Sequence, residues 1–96
     1  MHLVIGACTI ELHIPGNGSL KGKRRVLKSV IARVHREFNV SIAEVENHDL
    51  WQRATLGVVC VSTAADHAHA LLTSVVRWIE HNRPDVQVTD FHIGTF

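Results

Sequence analysis

The period of the hydrophobic pattern switches along this chain from two to 3.6 and back, twice over, and few folds accept that order of elements. In residues 3–14, Cys8, Ile10, Leu12 and Ile14 share one face, with Thr9, Glu11 and His13 on the other. That is the pattern of a half-buried strand. The turn residues Pro15, Gly16, Asn17 and Gly18 end it. Ser19 is placed to cap a helix running to about Phe38, because Leu20, Leu27, Val30, Ile31, Val34 and Phe38 fall in one arc of the helical wheel. On the same wheel Arg24, Lys28, Lys21, Arg25 and Arg36 form a cationic flank. Lys23 projects close to the apolar arc, and its stem is expected to snorkel past it to water. Gly22 stands where a capping-box glutamate would help, so the first turn reads as weak. Its positive dipole end also carries added positive charge.

Residues 40–46 suit a second strand whose alternation is too imperfect to assign a buried face. Residues 47–53 read as a loop or strand extension, and residues 54–62 as a third strand, apolar on both faces. A second helix is expected from Ala64 to about Asn82, with Ala68, Leu71, Leu72, Val75 and Ile79 on its buried stripe. Arg83, Pro84 and Asp85 end it, and Val86 to about Ile93 forms the last strand. The order β-α-β-β-α-β with right-handed crossovers makes strands 1 and 2 parallel, with strand 3 antiparallel between them. Strand 4 then pairs on the far side of strand 1. The fold expected is an α+β, ferredoxin-like βαββαβ sandwich, with a four-stranded antiparallel sheet in order 4-1-3-2 and both helices on one face.

Composition bounds the rest. The 96 residues make one domain, 1–96, and 46% hydrophobic against 20% charged residues argues for a packed core rather than disorder. Net charge is only +1, yet seven of the ten Lys and Arg residues lie between Lys21 and Arg36. A local basic field can therefore exist without a basic protein. The apolar start is broken by Glu11 and His13 and lacks a cationic leader. Nothing approaches the roughly 20 apolar residues of a membrane helix. Two cysteines, Cys8 and Cys60, make neither a disulfide framework nor a metal knuckle. The expected location is the cytoplasm, with both thiols reduced.

Three blocks carry a resemblance. Ser19 to Ser29, Phe38 to Val45, and His48 to Ala54 followed by Leu56, Gly57 and Val58 resemble the YlxP-like family of small bacterial proteins, long labelled a domain of unknown function. The resemblance spans nearly the whole chain and implies the same ferredoxin-like sandwich. Genes of that family often neighbour those of translation and ribosome-maturation factors, which implies a role near RNA or ribosomes. The family supplies no catalytic residues to carry over. Its members often have Glu where this chain has Gly22.

Two surfaces are candidates for function. The first joins the turn and helix start, with Lys21, Lys23, Arg24, Arg25 and Lys28 as phosphate contacts, to the loop carrying Trp51 and Arg53. Parallel strands 1 and 2 put both at one end of the sheet. Trp51 offers a stacking plane and Arg53 a fork of donors. It is not a P-loop: five residues separate Gly16 from Gly22-Lys23 where the motif has four, and Arg24 replaces its Ser or Thr. A solvated flank, with Arg53 paired to Glu44, Glu46 or Asp49, is the plain alternative. The second surface is the bare sheet face. It holds Ile5, Ala7 and Thr9 and either Val59 and Val61 or Leu56 and Val58, too apolar for a simply solvated face. Ile5, Ala7, Val59 and Val61 are the expected interface.

RNA-recognition motifs stack bases on aromatics of strands 1 and 3, which here have none. Eight histidines offer no convergent set of three: His67 and His69 diverge on a helix, and His2 and His92 are expected across strands 1 and 4 without a third ligand. Neither cysteine shows a partner base, and Glu11 with His13 is a weak acid–base pair. No catalytic residue, metal or cofactor is assigned. The leading expectation is a non-enzymatic accessory protein contacting RNA or a ribosomal particle through the start of helix 1. The alternative is a homodimer or protein-docking module using the sheet face. Neither a DNA partner nor a membrane is expected.

Overall fold

The computed structural model describes residues 2–96. In chain order the elements are β1 (Val4–His13), α1 (Leu20–Glu37), β2 (Ser41–Glu46), β3 (Arg53–Ser62), α2 (Ala65–Asn82) and β4 (Gln87–Thr95). The strands form one sheet in order β2-β3-β1-β4, the expected order read from the other edge, and every neighbouring pair is antiparallel. Both helices cover one face. The chain is an α+β sandwich of βαββαβ topology.

The register explains which side chains meet. Ile10 lies opposite Leu56 and Cys8 opposite Val58, and these positions face the helices. From below, α1 contributes Leu27, Val30 and Val34, and α2 contributes Ala68, Leu72, Val75, Val76 and Ile79. Each fully buried aliphatic side chain of this set contributes about 2 kcal/mol by leaving water. Gly6 lets α2 approach β1: a Cβ there would sit 2.9 Å from both Leu72 Cδ1 and Cys60 Sγ.

The strand parities left open by the sequence are settled. Ala54, Leu56, Val58 and Cys60 are buried against the helices, so Val59 and Val61 lie on the bare face with Ile5 and Ala7. On β2, Ile42 pairs with Val58 and Glu44 with Leu56, so both point toward the helix layer, and Ala43 and Val45 look the other way. A bulge after Glu44 and another between Glu11 and Leu12 bend the sheet at one end. Among the described residues, no helix is long and apolar enough to cross a membrane.

Candidate phosphate-binding flank and open sheet face

The start of α1 is built by its cap and its turn. Ser19 is extended and its hydroxyl accepts from Gly22 N at 2.9 Å. Asn17 Nδ2 donates to Ser19 O and to Trp51 O, while Gln52 Nε2 donates to Asn17 O at 3.1 Å. The β1–α1 turn and the β2–β3 loop are therefore tied together, at the end of the sheet where chain order put them. The first turn is held by this cap and these ties rather than by a capping box. Gly22 leaves the space into which Asn17 Oδ1 projects, and any Cβ at 22 would collide with it.

Lys23 corrects the sequence reading. Its side chain is wholly buried rather than snorkelling to water. Nζ donates to Asn47 O at 2.7 Å, His48 O at 3.1 Å and Arg53 O at 3.3 Å. An ammonium has three N–H donors, and three carbonyls take them. Glu44 Oε2, 3.0 Å from Nζ, supplies the countercharge. Lys23 is thus a post holding the β2–β3 loop against α1, and it is unavailable to an anion.

The other cations are on the surface. Lys21, Arg24, Arg25 and Lys28 are all exposed, as is Arg36 further along. The ion pairs among the described residues are Lys23–Glu44, Arg83–Asp85 and His92–Asp90, so none of these five cations is within ion-pair distance of a carboxylate. No acidic residue stands in the first turn of α1. The remaining cation of the helix, Arg33, lies 5.7 Å from the centre of the Trp78 ring and braces α1 against α2.

Trp51 is 55% exposed at the loop tip. Arg53 is exposed but stands opposite His13 on the bare face of the sheet, so its side chain leaves the other side of the sandwich from α1. Shared ends do not give a shared surface for Arg53. Nor does Arg53 form an ion pair with Glu44, Glu46 or Asp49.

Beside the flank runs a groove of about 420 Å³ between α1 and the edge strand β2. Leu27, Ile31 and Ala32 floor it, Arg24, Lys28 and His35 border it, and Glu44 stands opposite. The sequence hid this groove, because Glu44 needed the parity of β2 to be placed.

The bare face holds a second concavity, of about 480 Å³. Small residues make it: Gly94 lies opposite Ala7, Gly57 opposite Thr9, and Val45 leans over Gly57. Ile5, Val59, Val61 and Phe96 stand exposed on the same side. The polar pairs at its far end have internal partners. Glu11 Oε2 accepts from Thr55, and His13 Nδ1 lies 3.2 Å from Gln87 Oε1, so Glu11 and His13 do not act on each other. His92 faces Thr9 rather than His2. Cys8 and Cys60 lie on adjacent strands, free and buried. Among the described residues, no three His, Cys, Asp or Glu side chains cluster as metal ligands.

Comparison with known proteins adds kinship but no activity. Residues 5–93 match a family described as Protein of unknown function (DUF503). The uncharacterised protein YlxP of Bacillus subtilis (strain 168) is 38% identical over 86 residues, covering 90% of this chain and 92% of that one. Among solved structures, the de novo designed protein Foldit4 superposes with a TM-score of 0.53 at 16% identity, over 99% of this chain and 97% of the other. That likeness concerns the fold alone. SnoaB, a cofactor-independent oxygenase from Streptomyces nogalater, reaches a TM-score of 0.46 at 14% identity, over 100% of this chain and 92% of that one.

Proposed function

The chain belongs to the DUF503 family of proteins of unknown function, and from that premise we propose that it is a non-enzymatic accessory protein that holds RNA by its phosphates through the exposed flank of α1. The observation that carries this reading is the row of Lys21, Arg24, Arg25 and Lys28, all exposed and none ion-paired. Carboxylates at one-turn spacing would offset the charge of surface lysines and arginines on a helix. Here the first turn and a half has none. The dipole places further positive potential at the same end. An uncompensated field of that kind attracts a polyanion, and arginine forks match phosphate oxygens. Trp51, tied to this end through Asn17, adds an exposed ring for stacking.

The test is salt dependence. Binding of labelled RNA, followed by fluorescence anisotropy between 50 and 300 mM salt (about, as a working range), is expected to weaken linearly on logarithmic axes. Replacing Lys21, Arg24 and Arg25 by Gln removes three contacts and is expected to lower the slope by about 2. Absence of salt-sensitive binding by the wild-type protein would refute the proposal.

A second reading rests on a different observation, the concave apolar face bordered by Ile5, Val59, Val61 and Phe96. There the chain would pair with a second copy of itself, with no nucleic acid involved.

A further inference from the structure

We infer that the groove between α1 and β2 receives a base of single-stranded RNA, one that carries an exocyclic amino group. The inference rests on the phosphate-binding reading and deepens it, because the groove opens directly beside the cations. Arg24 and Lys28 line it one helical turn apart, about 6 Å along the axis. Phosphates of a strand following α1 would meet them in succession while the base turns inward.

The groove fits a base on three counts. Its floor of Leu27, Ile31 and Ala32 is aliphatic and suits the flat face of a heterocycle. Its volume of about 420 Å³ lies within the usual range for small-ligand sites. Its far wall is Glu44, which lines the groove with a partly exposed side chain; its buried Oε2 lies 3.0 Å from Lys23 Nζ and accepts no hydrogen bond, so the carboxylate keeps acceptor capacity to spare. A carboxylate accepts from the amino groups of cytosine or adenine, and uracil has no such group.

The same carboxylate decides between occupants. An acidic peptide could also seek Arg24 and Lys28, and β2 is an edge strand with a free backbone edge. Its side chains on the helix-facing side would, however, meet Glu44 at close range, and like charges there are repelled. Duplex RNA cannot enter, because its bases are paired and stacked.

The experiment compares labelled oligocytidylate, oligouridylate, a duplex and a polyglutamate peptide on the wild-type protein and on Ala32→Trp. Ala32 is exposed, so the indole fills the groove without entering the core; a thermal melt verifies the fold. The wild type is expected to bind oligocytidylate at least fivefold more tightly than oligouridylate or duplex, and Ala32→Trp to erase that difference while keeping salt-dependent binding. Crosslinking by an oligonucleotide carrying one photoreactive cytidine analogue should map to residues 27–32. Equal binding of all RNAs, unaffected by Ala32→Trp, would overturn the groove and leave the phosphate reading standing. Competition by polyglutamate at equal charge would make a peptide the occupant and overturn it as well. No salt-sensitive RNA binding at all would remove both.

Discussion

Three carbonyls and a carboxylate enclose the Lys23 ammonium, which pins the β2–β3 loop to α1 alongside the ties made by Asn17 and Gln52. Removing it strands Glu44 and leaves the Asn47, His48 and Arg53 carbonyls without their donor. Lys23→Met is expected to destabilise the fold by about 3 kcal/mol in urea unfolding, as for other broken buried pairs. Adding Glu44→Gln to that variant should recover part of the loss, because the uncompensated charge goes with it; a recovery of nothing would show that the carbonyls dominate. Cys8 gives a pH signature of its own. Burial pushes its thiol up to about 11. Between about 9 and 11 the unfolded chain is a thiolate while the native chain keeps its proton, so stability is full below 9 and falls as pH rises. The fall attributable to Cys8 is expected to be about 2 kcal/mol, and Cys8→Ala should lack it. Sequence periodicity put Lys23 near the apolar arc but could not see its partners, which lie 21 to 30 residues away across a loop of irregular geometry.

The first turn of α1 shows how an element can be favoured by a residue of poor helix propensity. Gly22 costs about 1 kcal/mol relative to alanine in a helix interior. In exchange its bare Cα leaves room for Asn17, whose amide joins Ser19 O and Trp51 O. Gly22→Ala is therefore expected to destabilise by about 1 kcal/mol, since two hydrogen bonds outweigh the propensity gain. In an Asn17→Ala background the same change should turn neutral or stabilising. A double-mutant cycle by thermal or urea unfolding measures that reversal; its absence would put Gly22 back among ordinary weak helix residues. The elements themselves were legible because each periodic stretch buries one face: Cys8, Ile10 and Leu12 from β1, and Ala68, Leu72, Val75 and Ile79 from α2, fall where alternation and the helical wheel set them. The face of β3 was not legible, because both parities are apolar and only pairing with β1 separates Val59 from Val58. The cationic flank could be read on the wheel. The groove beside it could not, because it exists only once the parity of β2 brings Glu44 under α1.

At the scale of the molecule the sandwich is a slab of 48 by 23 by 19 Å with helices on one broad side only. The bare side carries all four strands, from β2 at one edge to β4 at the other. A stable interface needs about 800 Å² per partner, so a second copy would have to lie face to face over most of the sheet. Ile5, Val59, Val61 and Phe96 would provide the apolar centre, and Arg53, His13 and Glu11 at one end a polar margin. A twofold axis brings each residue against the same surface of the partner, so one aspartate introduces two charges into the contact. On the second reading of function, the wild-type protein is expected to sediment as a dimer, and Val59→Asp as a monomer with unchanged far-ultraviolet dichroism. Val59 is already exposed in the single chain, so its replacement should leave the melting temperature of the monomer within a few degrees. The Gln variant of Lys21, Arg24 and Arg25 should remain dimeric, since those cations stand on the helix side. A wild-type monomer at high concentration would end the pairing idea while leaving the α1 flank free to act alone. A dimer that survives Val59→Asp would place the interface elsewhere, on the edge strands β2 or β4. Pairing through β2 would also close the groove beside α1, so the same sedimentation experiment, repeated with oligocytidylate present, separates a dimer that competes with RNA from one that carries it on both outer faces.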